Sequence, residues 1–158
     1  MSKLSFVILT LVFFSRAQAF GLKGVEVGAP YDSAAINAVF GSADDGAVGL
    51  AGVIAGVHST EYKGNLLEID ATFPTYGFAP IKAALVAKYG KPKSSVALPM
   101  VNAYGARVTS YVLTWRNAAG DEMVLMSAIG EIGTGSLSIK SAVQVSSEKQ
   151  ASAKDSGI

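Results

Sequence analysis

The sequence predicts an α+β fold: an antiparallel sheet with two helices packed on one face. Three observations carry that prediction. Two segments show apolar residues at helical spacing and end in glycine, "YDSAAINAVFG" and "FAPIKAALVAKYGKP". The segments between and after them switch to a period of two, as half-buried strands do. Short turn-forming stretches separate those strands, and helices followed by runs of strands give a layered α+β arrangement.

The chain opens with Lys3 and an apolar run over residues 4–14, followed by Ala17-Gln18-Ala19. A basic start, an apolar stretch and an A-x-A site make the three-part layout of a secretory signal peptide over residues 1–19. Eleven residues at about 1.5 Å each reach roughly 16 Å, about half of a hydrocarbon core near 30 Å, so the run is too short to span. Cleavage after Ala19 makes Phe20 the new N-terminus and leaves no stable membrane anchor. It also removes Lys3 and Arg16 from 13 basic side chains, leaving 11 against 12 acidic ones. A nearly neutral chain without a basic stripe has no electrostatic reason to seek nucleic acid. The expected address is periplasmic or secreted. There is no cysteine, which excludes disulfides, thiolate metal sites and a cysteine nucleophile. About 139 residues build a core without such staples.

Residues 20–145 read as a single domain. "GVEVGAPYDSAAINAVFG" is a short strand, a turn and a helix. Asp32 is the N-cap, Tyr31 and Ile36 sit at staple spacing, and Gly41 stops the helix. In "NLLEIDATF", Leu67, Ile69, Ala71 and Phe73 point one way, and Glu68, Asp70 and Thr72 the other. The second helix places Pro80 in its first turn and Ile81, Ala84, Leu85 and Tyr89 on one face, with Gly90 and Pro92 closing it. "ARVTSYVLTWRN", "DEMVLMSAI" and "SLSIKSA" read as strands, with "NAAGD" as a hairpin loop between the first two. "AVFG" and "AKYG" end alike, which fits either a tandem helix-plus-sheet repeat or convergence on one helix-ending chemistry. Residues 146–158 are polar and lack a hydrophobic period, and read as a disordered tail.

Few stretches offer chemistry. The glycines in "ADDGAVGLAGVIAGVHS" match neither a Walker loop nor a dinucleotide fingerprint, and read as a loop and a loosely packed strand, or as a partner-binding edge strand. Asp44 and Asp45 do not supply the spaced oxygens of a calcium site. His58 is the sole histidine, read as a strand-end surface residue, and no G-x-S-x-G marks a serine nucleophile. Glu68 and Asp70 sit on an exposed face that would not separate their pKa values. Lys82, Lys88, Lys91 and Lys93 cluster around the end of the second helix, where its dipole favours cations; an anionic partner is the alternative. Asn102, Tyr104 and Arg107 in "VNAYGARV" are the candidate binding residues, because Tyr and Arg anchor protein interfaces. No catalytic residue, metal or cofactor is expected.

The strand, capped helix and sheet of "GVEVGAPYDSAAINAVFG", and "FAPIKAALVAKYGKP" followed by the Trp115 strands, resemble small Gram-negative envelope proteins. The layout is similar to BamE-type outer-membrane assembly lipoproteins and to β-lactamase inhibitor proteins. It is also similar to secreted proteins carrying a "KYGKP…TWR" pattern. The chain lacks the lipidated cysteine of the first group and the disulfides of the second, so no functional residue transfers. The expected function is non-enzymatic: a module that binds an envelope or secreted protein through its sheet face or an edge strand, in inhibition or envelope assembly. The alternative is a carrier or sensor of a small apolar ligand in a pocket lined by Phe73, Leu85 and Trp115. A hydrolase built on His58, a serine and an acid comes third.

Overall fold

A computed structural model describes residues 18–42, 45–101, 105–130 and 133–155. All of the leader except Gln18 and Ala19 lies outside the described residues. The fold is α+β. A small antiparallel ribbon, β1 (Gly21–Leu22) and β2 (Val25–Glu26), leads into helix α1 (Ser33–Phe40). Then come β3 (Gly46–Leu50), β4 (Val53–Tyr62) and β5 (Asn65–Pro74), and helix α2 (Phe78–Tyr89) after a short 3-10 turn. Strands β6 (Ser94–Val101), β7 (Arg107–Arg116), β8 (Glu122–Met126) and β9 (Thr134–Lys140) follow, and helix α3 (Ala142–Asp155) ends the order. The large sheet is antiparallel throughout, in the order β3-β4-β5-β9-β8-β7-β6.

Local chemistry accounts for the helices. Asp32 Oδ1 accepts from the backbone N–H of Ala34 at 3.0 Å and Ala35 at 3.1 Å, satisfying two of the donors a helix start leaves free. Gly41 leaves α1 with φ 83°, a conformation that favours glycine. The side chain of Tyr89 locks the N-terminal ribbon onto the end of α2. Its hydroxyl donates to the Gly21 carbonyl at 3.0 Å, and its ring meets Phe20 edge-on at 5.1 Å. Trp115 Nε1 donates to the Gly90 carbonyl at 2.8 Å, giving a buried indole the partner it requires.

One face of the sheet is apolar. Its register carries Val57, Ala71, Leu137, Leu125 and Leu113 across the strands, with Ile69, Ile139, Met123 and Trp115 alongside. These residues share a single buried cluster with Ile36 and Phe40 of α1 and Ile81 and Leu85 of α2. Leu67, Ile69, Ala71 and Phe73 are all buried, as alternation in β5 requires.

Two expectations need correction, and one strand was not expected. "GAVGLAGVIAGVHS" is not a loop and one strand but a hairpin, β3 and β4, turning at Ala51 and Gly52, which both have positive φ. Small and apolar residues on both faces hid the alternation: Gly46 and Ala55 are buried, while Ala47, Gly49 and Ile54 are exposed. Residues 146–155 are helical, not a disordered tail. Only Val145 of α3 is buried, so no periodic apolar stripe marks the sequence. What tethers the helix is polar: Lys140 Nζ reaches Glu148 Oε1 at 2.7 Å, Gln144 Nε2 donates to the same oxygen at 3.0 Å, and Asp121 Oδ1 accepts from Ala142 N–H at 2.9 Å. The strand not expected is "SSVALPMV", which forms β6 next to β7.

Candidate functional site

Strand β6 lies at one edge of the sheet, and among the described residues it pairs only with β7. Its backbone polarity follows from antiparallel alternation. Ser127 N–H bonds the Tyr111 carbonyl at 3.0 Å, so Tyr111 turns its backbone toward β8. Ser110 and Val112 therefore turn theirs toward β6, and their partners Leu98 and Val96 turn inward to meet them. Ser95, Ala97, Pro99 and Val101 then turn their backbone groups outward. Pro99 falls where a missing N–H removes nothing from the ladder, which is where an edge strand tolerates proline.

The side chains around this edge are apolar and exposed. Val96 is 47% exposed, Leu98 42%, Val101 64% and Tyr111 51%. On the face opposite the core, Val96, Leu98 and Met100 of β6 stand beside Val108 and Val112 of β7 and Met126 of β8. An antiparallel sheet normally presents polar residues there. The adjoining strands do so: β5 and β9 carry Glu68, Asp70, Thr72, Ser136, Ser138 and Lys140 on the same face. On the core side, the hairpin extends beyond the packed cluster. There Tyr76, Phe78, Val101, Tyr111 and Ile129 help to line an open cavity of about 550 Å³.

Of the residues singled out from sequence, Arg107 is the first residue of β7, exposed and opposite Val101. Asn102 and Tyr104 lie outside the described residues, as does Asp44. Val96, Leu98, Val101 and Tyr76 went unread. The run "SSVALPMV" was the available signal, but a strand exposed on both faces has no alternation to detect. Phe73, Leu85 and Trp115 are buried in the core cluster; Leu85 and Trp115 line two different cavities, and Phe73 lines neither.

His58 is mid-strand, not at a strand end, and its cross-strand neighbour is Asp70, whose other neighbour is Ser138. A serine–histidine–acid relay needs the histidine in the middle, and here the acid holds that place. Ser138 Oγ donates instead to Glu68 Oε1 at 2.9 Å. The concavity at His58 is small, about 180 Å³, and Ser138 does not line it. Among the described residues no group of three or more His, Asp or Glu side chains could hold a metal ion, and no helix is long and apolar enough to cross a membrane.

The ion pairs that do form are structural. Burial opposes the charge on Lys140, but the carboxylates of Glu148 and Glu68 outweigh it and hold the ammonium above its ordinary range. The hydrogen bond from Lys140 holds the Glu148 carboxyl below the usual carboxylate range. No protein-family model, curated protein or solved structure matches this chain.

Proposed function

We propose that this chain is a non-enzymatic binding module of the bacterial envelope or of the secreted fraction, and that β6 is its docking edge. The occupant is an extended segment of a protein partner, added as a further strand beside Ser94–Val101. The single observation that carries the reading is the β6 edge itself. Backbone groups at Ser95, Ala97 and Val101 face outward, flanked by exposed Val96, Leu98 and Tyr111. Strand addition takes its affinity from such main-chain groups and its specificity from alternate side chains. The leader over residues 1–19, removed after Ala19, would deliver the module, in keeping with its likeness to small envelope proteins.

In the finer architecture we propose, α1 and α2 cover one sheet face as tandem units. The strand order supports it, since β3-β4-β5 and β9-β8-β7 mirror each other about the central β5–β9 pair, with β6 added outside. A second reading, a carrier of a small apolar ligand, rests on the cavity between Tyr76, Phe78 and Tyr111.

The test expresses the full chain in a Gram-negative host and captures partners from the envelope fraction. Ala97→Pro deletes an outward N–H without touching the β6–β7 ladder, so it should abolish capture while the melting temperature holds. Partner binding should also slow amide exchange at Ala97 and Val101. Capture that survives Ala97→Pro refutes strand addition. A small molecule in native mass spectra, with no protein partner, shifts the assignment to a carrier.

A further inference from the structure

The end of α2 bears a second feature, remote in character from the apolar β6 edge. A cavity of about 410 Å³ opens there, lined by Lys88, Lys91, Lys93 and Arg116 together with Tyr89 and Trp115. Among the described residues no carboxylate lines it. Arg116 is balanced by Glu122, to which its Nε donates at 2.6 Å. Among the described residues none of the three lysines is in an ion pair. Lys88 Nζ lies 4.8 Å from the centre of the Tyr89 ring.

The helix dipole accounts for only part of this. Its favourable effect on cations fades within the last turn, and only Lys88 occupies that turn. Lys91 and Lys93 lie beyond the helix, and Arg116 comes from β7. The Gly90 carbonyl at this helix end is already engaged by Trp115. With Arg116 paired to Glu122 and Lys88 within reach of the dipole, Lys91 and Lys93 still face the concavity with neither an acid nor the dipole to offset them, so a bound anion would relieve the remaining repulsion.

We propose that this cavity binds a phosphoryl group. A carboxylate brings one charge, whereas a phosphoryl group brings about two and three strong acceptor oxygens, enough to engage several lysines at once. The group comes either from a free phosphate compound or from a lipid headgroup.

Trp115 is the sole tryptophan and lies in the wall, so its fluorescence reads the site directly. Inorganic phosphate, titrated at constant ionic strength, should give a saturable change in emission. The double variant Lys91→Gln/Lys93→Gln should raise Kd at least tenfold with an unchanged melting temperature. Lys82→Gln, on the same helix but outside the cavity, should leave Kd as it was. Saturation by free phosphate assigns a soluble phosphate compound. Co-sedimentation with phosphatidic acid–phosphatidylcholine vesicles, but not with phosphatidylcholine alone, and no response to free phosphate, assigns a headgroup with a terminal phosphoryl group. Failure of both probes overturns the proposal, as does a double variant that binds like the parent. Neither result bears on capture at β6, which Ala97→Pro tests separately.

Discussion

Glycine-to-alanine substitution should have opposite signs at two positions of this sheet, and the difference measures how tightly the core is packed. Gly135 of β9 is buried. A Cβ built there would lie 2.6 Å from Phe73 Cε2, 2.9 Å from the Met126 carbonyl oxygen and 3.0 Å from Phe73 Cζ. Carbon atoms in contact prefer about 3.5–4.0 Å. The ring would have to yield by nearly an ångström, yet Phe73 is only 2% exposed and is held in the core, and the carbonyl belongs to a paired strand. Such overpacking costs about 1–3 kcal/mol, offset by about 0.4–1 kcal/mol from the reduced freedom of the unfolded chain. Gly49 of β3 has nothing within 4 Å of a built Cβ, so Gly49→Ala retains the gain alone. The two variants should therefore differ by about 2 kcal/mol, or roughly 4–8 °C in melting temperature for a chain of this size. Thermal unfolding followed by circular dichroism, with urea midpoints as a second measure, reads the difference. If Gly135→Ala melts within a degree of Gly49→Ala, Phe73 is not wedged against β9 and the reasoning fails.

Other perturbations follow from single contacts. Asp32→Ala should cost about 1 kcal/mol through the unsatisfied N–H groups of Ala34 and Ala35, and Asp32→Asn should restore most of it, read as urea midpoints at constant slope. Trp115→Phe should cost at least about 1 kcal/mol, because the Gly90 carbonyl loses its partner and some buried volume goes too; circular dichroism must follow it, since the fluorescence is lost. Glu148→Gln should loosen α3, seen as faster amide exchange over residues 146–155, with a change of a few tenths of a kcal/mol because the pair is largely solvated. The pH dependence has a definite sign. The Glu148 contribution is complete above the ordinary value of 4.5 and disappears as pH falls through the depressed folded-state pKa. The Lys140 contribution is complete below 10.5 and disappears as pH rises through the elevated one. An exchange difference between parent and Glu148→Gln that persists unchanged well into acid would contradict this assignment.

What the sequence disclosed was whatever has a short-range physical cause. Asp32 caps because an acid at that position accepts from the next turn, and Gly41 and Gly90 stop helices because they tolerate a positive φ. Alternation in "NLLEIDATF" survives because β5 is central and buried on one face. The remainder failed for an equally physical reason. Strand β6 is exposed along its length except at Met100, so its side chains carry no periodic record of it. Helix α3 is tethered by Lys140, Glu148 and Asp121, and its one buried residue, Val145, sets no stripe. The adjacency of His58, Asp70 and Ser138 depends on a register between strands far apart in sequence. The same holds for the convergence of Arg116 with Lys91 and Lys93, of which only the lysines are close in sequence.

The two edges of the sheet are not equivalent, and that asymmetry is the strongest argument for where a partner would add. Strand β3 offers five residues whose exposed positions are Ala47 and Gly49, with Ile54 of β4 as the one large exposed apolar side chain beside them, so a strand laid there would bury less apolar area. Strand β6 offers eight residues and the exposed side chains of Val96, Leu98 and Val101, continued by Val108 and Tyr111 on its neighbour. Association costs at least several kcal/mol in lost freedom before any net affinity appears. Main-chain hydrogen bonds return only about 1 kcal/mol each once water is displaced. Apolar burial must supply the surplus, at up to about 1.5–3 kcal/mol for each large side chain fully covered. Only the β6 edge carries enough such side chains to meet that requirement. Meanwhile Glu148 of α3 reaches Lys140 on the polar half of the outer face and leaves the apolar half at β6–β8 open.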